Sequence, residues 1–330
     1  MGGQFGSEGK GSFVSWLTSN NKYNLVIRNG APNSGHTYVN KNNERKILRC
    51  LPCSNGDYPI YIPSGAVLNL DILNNELQYE RILNNHSEIF ISPYASIIQQ
   101  HNIEIEHSIM TGSTYQGVGA ARADKCLRKG ILVKDLQLDK RVSISIPTNI
   151  LNCDKSNILI ESTQGYGLSL NSRYYPYCTS QNITPYQILD DADIPPNIHS
   201  LNIIMLFRTF PIRIHGNSGY LYNETNWQFL RNYYGRHIPV EKTSVTKKVR
   251  RVGLFDYKLA REAISRCNPT QIALTFMDYI YPNYSSLDTL ENISSYLTEM
   301  ESLINHKIDY IGLGTGKIVQ RIAESIYSVK

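Results

Sequence analysis

Apolar positions along this chain come in short blocks rather than long runs. Six blocks read as strands: 24–28, 89–92, 157–161, 203–207, 272–275 and 309–312. Each is built mostly from β-branched, leucine or aromatic residues, and most run into a turn containing Gly, Ser, Thr or Asp. Between them the spacing becomes that of amphipathic helices. One helix is predicted over 9–19, opening on a glycine-rich turn. Another is predicted over 255–266, with Asp256 placed as its cap, and a longer one over 286–304. Strands alternating with helices predict an α/β protein with a large, central, mostly parallel sheet flanked by helices. No linker, repeat or low-complexity tract interrupts the pattern, so residues 1–330 are expected to form one domain.

Composition adds little that is unusual. The chain is 41% hydrophobic and 18% charged, with a net charge of +5. That mild positive balance suits an anionic small substrate, and the basic residues form no long run that would suit nucleic acid. There is no signal peptide and no apolar stretch of about 18 residues, which predicts a cytoplasmic protein without a membrane partner. The cysteines, at 50, 53, 126, 153, 178 and 267, are scattered as in a reducing compartment. Cys50 and Cys53 form a CxxC, but a zinc site usually needs a second pair, so buried thiols are expected there.

The chemistry concentrates near the start, in Gly3-Gln4-Phe5-Gly6-Ser7-Glu8-Gly9-Lys10-Gly11. Glycine reaches positive φ and lets backbone N–H groups approach an anion, and a lysine within such a loop reaches phosphate oxygens. Such a loop should follow a buried strand. It begins here at Met1-Gly2, so that first strand is expected to be missing. Downstream comes Arg28-Asn29-Gly30-Ala31-Pro32-Asn33-Ser34-Gly35-His36-Thr37. Together the two segments resemble the paired signatures of the adenylosuccinate synthetase family, usually written GxQWGDEGKGK and GGxNAGHT. Further matches follow in the family's order. They are Ile62-Pro63-Ser64-Gly65, Gly117-Val118-Gly119 with Asp124-Lys125, Glu161-Ser162-Thr163-Gln164-Gly165, Tyr175 through Ser180, Thr246 through Asp256, and Leu274 through Asp278.

The resemblance implies that family's fold and a ligase reaction. A nucleoside triphosphate phosphorylates the purine 6-oxygen, and the amine of aspartate then displaces that phosphate. The oxygen is a poor leaving group until esterified, loss of the N1 proton makes it nucleophilic, and a cation must neutralise the moving phosphoryl group. Mg²⁺ is therefore expected. The resemblance assigns Lys10, with Gly9, Gly11 and Thr37, to the triphosphate. It assigns His36 to the developing phosphate and the 6-oxygen, the Gly35 carbonyl to the metal, and Gln164 to the base. Asn33, Ser113, Thr114 and Thr179 match positions that hold the monophosphate nucleotide. Arg128 matches an arginine that crosses to the other subunit's nucleotide, which implies a homodimer. In the loop 243–251, Val245, Thr246 and Arg250 match the aspartate receptors, and Lys248 lies near the ribose. Asp278 and Gly314 match contacts to the triphosphate's nucleoside.

Three departures shape the expected substrates. Ser7 stands where the common enzyme has an Asp that serves as N1 base and metal ligand. A neutral hydroxyl is a poor base and a weaker ligand, but it is smaller and leaves room for the 2-amino group of guanine. The family's viral branch, which makes 2-amino-2′-deoxyadenylosuccinate from dGMP, resembles this chain in having GSEGKG. A carboxylate could also accept guanine's N1–H and N2–H, so the residues leave the N1 proton acceptor open. Phe276 stands where the family has a Lys that helps select GTP, which favours ATP or dATP. Lys248 replaces an Arg and cannot reproduce its bidentate fork, which is compatible with deoxyribose. The expected reaction is dGMP, L-aspartate and ATP giving 2-amino-2′-deoxyadenylosuccinate, ADP and phosphate, for DNA carrying 2,6-diaminopurine, in a host's cytoplasm for a viral chain. The rival expectations are the ordinary enzyme, using IMP and GTP, and a nucleotide-binding protein with little catalysis.

Overall fold

The computed structural model describes residues 1–83, 88–108, 112–138, 142–151, 157–196, 200–243, 247–282 and 287–321. All six predicted strands and three predicted helices form, with small shifts at their ends. The chain divides into two compact units. One, here the His36 unit, comprises Gly11–Thr163 and Thr179–Leu201. The other, the Lys10 unit, comprises Met1–Lys10, Gln164–Cys178 and Asn202–Lys330.

The His36 unit is built on a five-stranded, wholly parallel sheet. Its order is Val142–Ile144, Ile89–Ile91, Ile60–Ile62, Leu25–Asn29 and Ile158–Ser162. Both faces are covered. Leu25, Ile27 and Tyr61 pack with Ile150, Leu189 and Ile194, while Ile60, Ile62 and Ile91 pack with Leu51, Leu73 and Leu77. Burial on both faces explains why these strands read as continuous apolar blocks rather than as alternation. The register sets Arg28 beside Glu161, each near the carboxyl end of its strand. The antiparallel hairpin of His36–Val39 and Arg45–Leu48 escapes sequence reading, because its second strand, RKIL, is short and half charged.

In the Lys10 unit, Ile204–Arg208, Gln271–Thr275 and Tyr310–Gly312 run parallel, with Ile318–Gln320 antiparallel at the edge. The helix Leu287–Ile304 sends Ile293, Leu297, Met300 and Ile304 into a core shared with Leu259, Ala260 and Ala263 of the helix Tyr257–Cys267. That stripe at steps of three and four is what the amphipathic spacing predicts. Asp256 caps Tyr257–Cys267, its carboxylate accepting the Leu259 N–H at 3.0 Å. A small antiparallel sheet of Ile212–Arg213, Arg251–Gly253 and Glu224–Thr225 packs with the helix Trp227–Tyr234 around Trp227 and Leu230. Among the described residues no helix is long and apolar enough to cross a membrane.

A longer strand is the usual anchor of a phosphate loop. Here residues 1–3 hold the loop through two isolated bridges at Gly2. Gly2 pairs in parallel with both Gly165 and Leu206. The Leu206 N–H donates to the Met1 carbonyl at 2.8 Å, the Gly3 N–H to the Leu206 carbonyl at 2.8 Å, and the Tyr166 N–H to the Gly2 carbonyl at 2.9 Å. Close approach requires glycine at position 3, where a Cβ would lie 2.3 Å from the Phe207 ring. Gly3→Ala is expected to cost about 1–3 kcal/mol by overpacking, read from the midpoint of denaturant unfolding. An unchanged midpoint would mean that Phe207 moves aside freely.

Candidate active site

The glycine loop folds around its own acidic residue. Gly6 and Gly9 have φ of 93° and 79°, a region that side chains other than glycine's rarely enter. This path wraps the backbone around Glu8, which is fully buried. Glu8 Oε1 accepts the N–H groups of Gln4 at 3.1 Å and Gly6 at 2.7 Å. Its Oε2 pairs with Lys10 Nζ at 2.9 Å, and Nζ also donates to the Gly6 carbonyl at 2.9 Å. Lys10 is therefore a buried, aimed cation. Its ammonium has three donors, and two are engaged. Gln164 lies against the same loop, since a Cβ on Gly6 would sit 3.1 Å from its Cα and from its Oε1.

Ser7 is half-buried, and its carbonyl accepts Arg208 Nη1 at 2.9 Å. Arg208 ends the strand Ile204–Arg208, is buried, and forks onto Glu241, which also accepts the Tyr279 hydroxyl at 3.0 Å. The Phe276 ring centre lies 3.9 Å from the Arg208 guanidinium carbon. One face of Phe276 is thus engaged by a cation, and a Cβ on Gly9 would lie 3.5 Å from its Cε2, so this ring packs against the loop. Asp278 faces Gly314, whose Cβ would lie 3.6 Å from Oδ2. Burial pushes the Asp278 carboxyl up, and its Oδ1 has no hydrogen-bond partner among the described residues. Lys248 is exposed. Arg250 is half-buried, its N–H bonded to the Glu241 carbonyl at 2.9 Å, and burial pushes its guanidinium down. Val245 and Thr246 lie outside the described residues.

In the His36 unit, three ionisable side chains converge. Arg28 and Glu161 are wholly buried and His36 nearly so. Arg28 Nη1 lies 2.9 Å from Glu161 Oε1, and both groups contact His36 Nδ1. The Cys53 N–H donates to Glu161 Oε2 at 2.7 Å. Burial works to raise the Glu161 carboxyl, but Arg28, then His36 and the Cys53 N–H, outweigh it and hold it down at about 2. Gly11 permits the close approach behind His36, where a Cβ would lie 2.9 Å from the His36 Cβ and 2.7 Å from the Thr37 carbonyl. Asn33, Gly35 and Thr37 are half-buried around the same turn.

The remaining predicted residues of this unit stand apart from that cluster. Ser113 donates to Glu106 at 3.2 Å and accepts the Tyr115 N–H at 3.0 Å, and the Thr114 carbonyl accepts Gln116 Nε2 at 3.1 Å. Thr179 is half-buried. Arg128 is exposed, with φ of 62°, two residues beyond the helix Val118–Cys126.

The sequence reading named no role for Glu8, Arg28, Glu161, Arg208 or Glu241. A signal was available for three of them. Arg28, Glu161 and Arg208 are charges near the carboxyl ends of apolar strand blocks, where α/β sheets place ligands. As for metals, no group of three or more His, Cys, Asp or Glu among the described residues could hold an ion. Cys50 and Cys53 are buried, and burial pushes both thiols up. The proposed donors, the Ser7 hydroxyl and the Gly35 carbonyl, are neutral hard oxygens. Each is the kind of ligand that Mg²⁺ takes when substrate phosphates carry most of its coordination.

The Lys10 unit holds a glycine loop with a buried lysine, and the His36 unit holds a histidine backed by a carboxylate, each a feature that phosphate-handling α/β enzymes use. The family model described as adenylosuccinate synthetase matches residues 1–154 and 145–283, and the chain belongs to that family. It is thus a ligase of the adenylosuccinate synthetase type. It is 34% identical over 299 residues to the N6-succino-2-amino-2′-deoxyadenylate synthase of Vibrio phage phiVC8, covering 84% of this chain and 85% of that protein. It is 31% identical over 288 residues to the adenylosuccinate synthetase of Thermococcus sibiricus, covering 84% and 83%. The solved succinoaminodeoxyadenylate synthetase of cyanophage S-2L, bound to dGMP and dATP as an energy donor, superposes with a TM-score of 0.81 at 26% identity, covering 98% of this chain and 95% of that one.

The electrostatics of Glu161 predict a pH signature. Its folded pKa, about 2, lies below the ordinary glutamate value of about 4.3. Its contribution to stability is complete above the ordinary value and is lost as pH falls toward 2. Between those limits the unfolding free energy of the wild type should fall more steeply with decreasing pH than that of Glu161→Gln. Equal slopes in urea titrations at stepped pH would show that Glu161 is not held ionised.

Proposed function

We propose that this chain joins L-aspartate to C6 of dGMP, with ATP or dATP as phosphoryl donor. The products are 2-amino-2′-deoxyadenylosuccinate, the nucleoside diphosphate and phosphate, the succinylated nucleotide serving synthesis of diaminopurine DNA in the cytoplasm. The observation that carries this reading is Ser7, a neutral and small residue in the loop that Gln164 lies against. The likeness to the phage synthase and to the S-2L enzyme bound to dGMP and dATP supports it.

The chemistry runs in two steps. The guanine 6-oxygen attacks the γ-phosphorus as the N1 proton leaves, and the diphosphate departs. The aspartate amine then attacks C6, and phosphate departs with the C6–O bond. Lys10 supplies its third N–H to phosphate oxygens, pre-aimed by Glu8 and the Gly6 carbonyl. Gln164 presents donor and acceptor to the base edge. His36 serves the 6-oxygen and the phosphate built on it. Asp278, with an unpartnered buried oxygen, and Gly314 meet the nucleoside of the triphosphate. Asn33, Ser113, Thr114 and Thr179 hold the monophosphate. Arg250 and Thr246 receive aspartate's carboxylates. Arg128, exposed and unpaired among the described residues, reaches the nucleotide of a second copy in a homodimer. Mg²⁺, held by the Ser7 hydroxyl and the Gly35 carbonyl, would neutralise charge on the phosphates.

Incubation with aspartate, Mg²⁺ and either dGMP or IMP, each with ATP, dATP or GTP, tests this by mass of the succinylated nucleotide. Product from dGMP and not IMP is the expected result. Product from IMP alone would make this the ordinary enzyme, and none from either would make it a binding protein. Ser7→Asp should lower the ratio of kcat/KM for dGMP over IMP by about 10-fold or more, the scale of a lost steric fit. An unchanged ratio would remove Ser7 from base selection.

A further inference from the structure

We propose that Arg208 is a positioning residue that ties the phosphate loop to the segment 241–250, through the Ser7 carbonyl on one side and the Glu241 carboxylate on the other. What that segment receives, aspartate, rests on the ligase reading above; the tie itself is geometry within the Lys10 unit. Arg208 closes the strand Ile204–Arg208, where parallel pairing sets it beside Thr275. On the edge that Gly2 bridges, the Gln4 side chain continues the pairing. Its Nε2 donates to the Arg208 carbonyl at 3.1 Å, and its Oε1 accepts the Arg208 N–H at 3.0 Å. The guanidinium is buried and meets acceptors from two distant segments. Nη1 donates to the Ser7 carbonyl at 2.9 Å and lies 3.3 Å from Glu241 Oε2, while Nη2 pairs with Glu241 Oε1. Gln4 and Ser7, at the two sides of the Gly6 turn, are thus both fastened to Arg208.

Glu241 opens a short antiparallel hairpin. The Arg250 N–H donates to the Glu241 carbonyl at 2.9 Å, the Thr243 N–H to the Lys248 carbonyl at 2.9 Å, and Lys242 bridges Val249. Between Thr243 and Lys247 the sequence places Val245 and Thr246, the proposed aspartate receptors. The two sides of the hairpin are anchored separately. The Trp227 indole donates to the Arg250 carbonyl at 2.9 Å. The Glu241 carboxylate is held by Arg208 and by the Tyr279 hydroxyl at 3.0 Å. Glu241 also shapes the charge at this end. Burial disfavours the Arg250 cation, Glu241 favours it, and Arg208 opposes it. The planar fork of a guanidinium can engage a carboxylate with both terminal nitrogens and still reach a third oxygen, whereas an ammonium is a point charge that cannot hold this geometry. Losing the fork therefore releases the Ser7 peptide and the Glu241 end of the hairpin together.

The first test needs no substrate. Amide hydrogen exchange of the full chain, read by mass over residues 3–9, 241–250 and 257–267, compares the wild type with Arg208→Lys. Exchange in the first two segments should quicken together by about 10-fold or more, the lower end of what a hydrogen bond to a charged group is worth. The helix Tyr257–Cys267 should be unchanged. Acceleration of only one of the two segments, of neither, or of the helix as well overturns the proposal, whether or not the chain is a dGMP ligase. Where Arg208→Lys does not fold, Glu241→Gln, which keeps the side-chain shape and an acceptor for Tyr279, carries the same expectation. With the substrates that the ligase assay identifies, the variant should show a lower kcat and a higher KM for aspartate, each by about 10-fold or more, with KM for the purine nucleotide changed less than about threefold. The residues proposed to hold that nucleotide's phosphate belong to the His36 unit. A folded variant with an unchanged KM for aspartate also overturns the tie.

Discussion

A charge taken out of water must meet its partner at a defined place, and the site depends on that constraint. Lys10, Arg28 and Arg208 are all buried, and each faces a carboxylate: Glu8, Glu161 and Glu241. Breaking one such pair leaves an uncompensated charge at a cost of about 3–5 kcal/mol. None of the three partners is found by side-chain search alone. Arg28 meets Glu161 because two parallel strands share a register. Lys10 meets Glu8 because two glycines turn the loop back on itself. Arg208 stands at the end of a buried strand, where it also steadies the Ser7 carbonyl.

The same constraint gives meaning to the departures from the family pattern. A lysine at position 276 would stand against Arg208, cation beside cation. Phe276 instead offers Arg208 a π face at 3.9 Å. The position therefore gains a support for the loop where the common enzyme has a base-reading cation. Asp278 keeps a buried oxygen without a hydrogen-bond partner among the described residues, which is the kind of orphan group that a ligand satisfies. Ser7 removes a negative charge from a loop that already contains one carboxylate. Glu8 spends its oxygens on two N–H groups and Lys10, so it does not replace the missing Asp as a free acceptor.

Most of the architecture was legible from pattern. The strands of both sheets are short apolar blocks, and burial on two faces forces that composition in any parallel sheet. Asp256 and the stripe at Ile293, Leu297, Met300 and Ile304 announced their helices by local rules of capping and periodicity. The candidate residue Lys10 was legible because glycines cluster where backbone must approach phosphate, and His36 and Gln164 were legible through the resemblance of their motifs to the family's. Local chemistry reaches only a few residues along the chain, and these features lie within that reach.

What the chain order alone determined, then, is the α/β class, the phosphate loop and the family to which its motifs belong. Tertiary structure decided the rest. The hairpin carrying His36 has a strand too polar to announce itself, and it forms by antiparallel backbone pairing with His36–Val39, with Leu48 alone of its side chains buried. Met1–Gly3 looks too short to anchor a loop until Gly165 and Leu206 close on Gly2 from both sides. Arg28 and Glu161 are 133 residues apart by number, and nothing local links them. Only the pairing of their strands brings opposite charges together in a dry interior, where each makes the other tolerable and both touch His36.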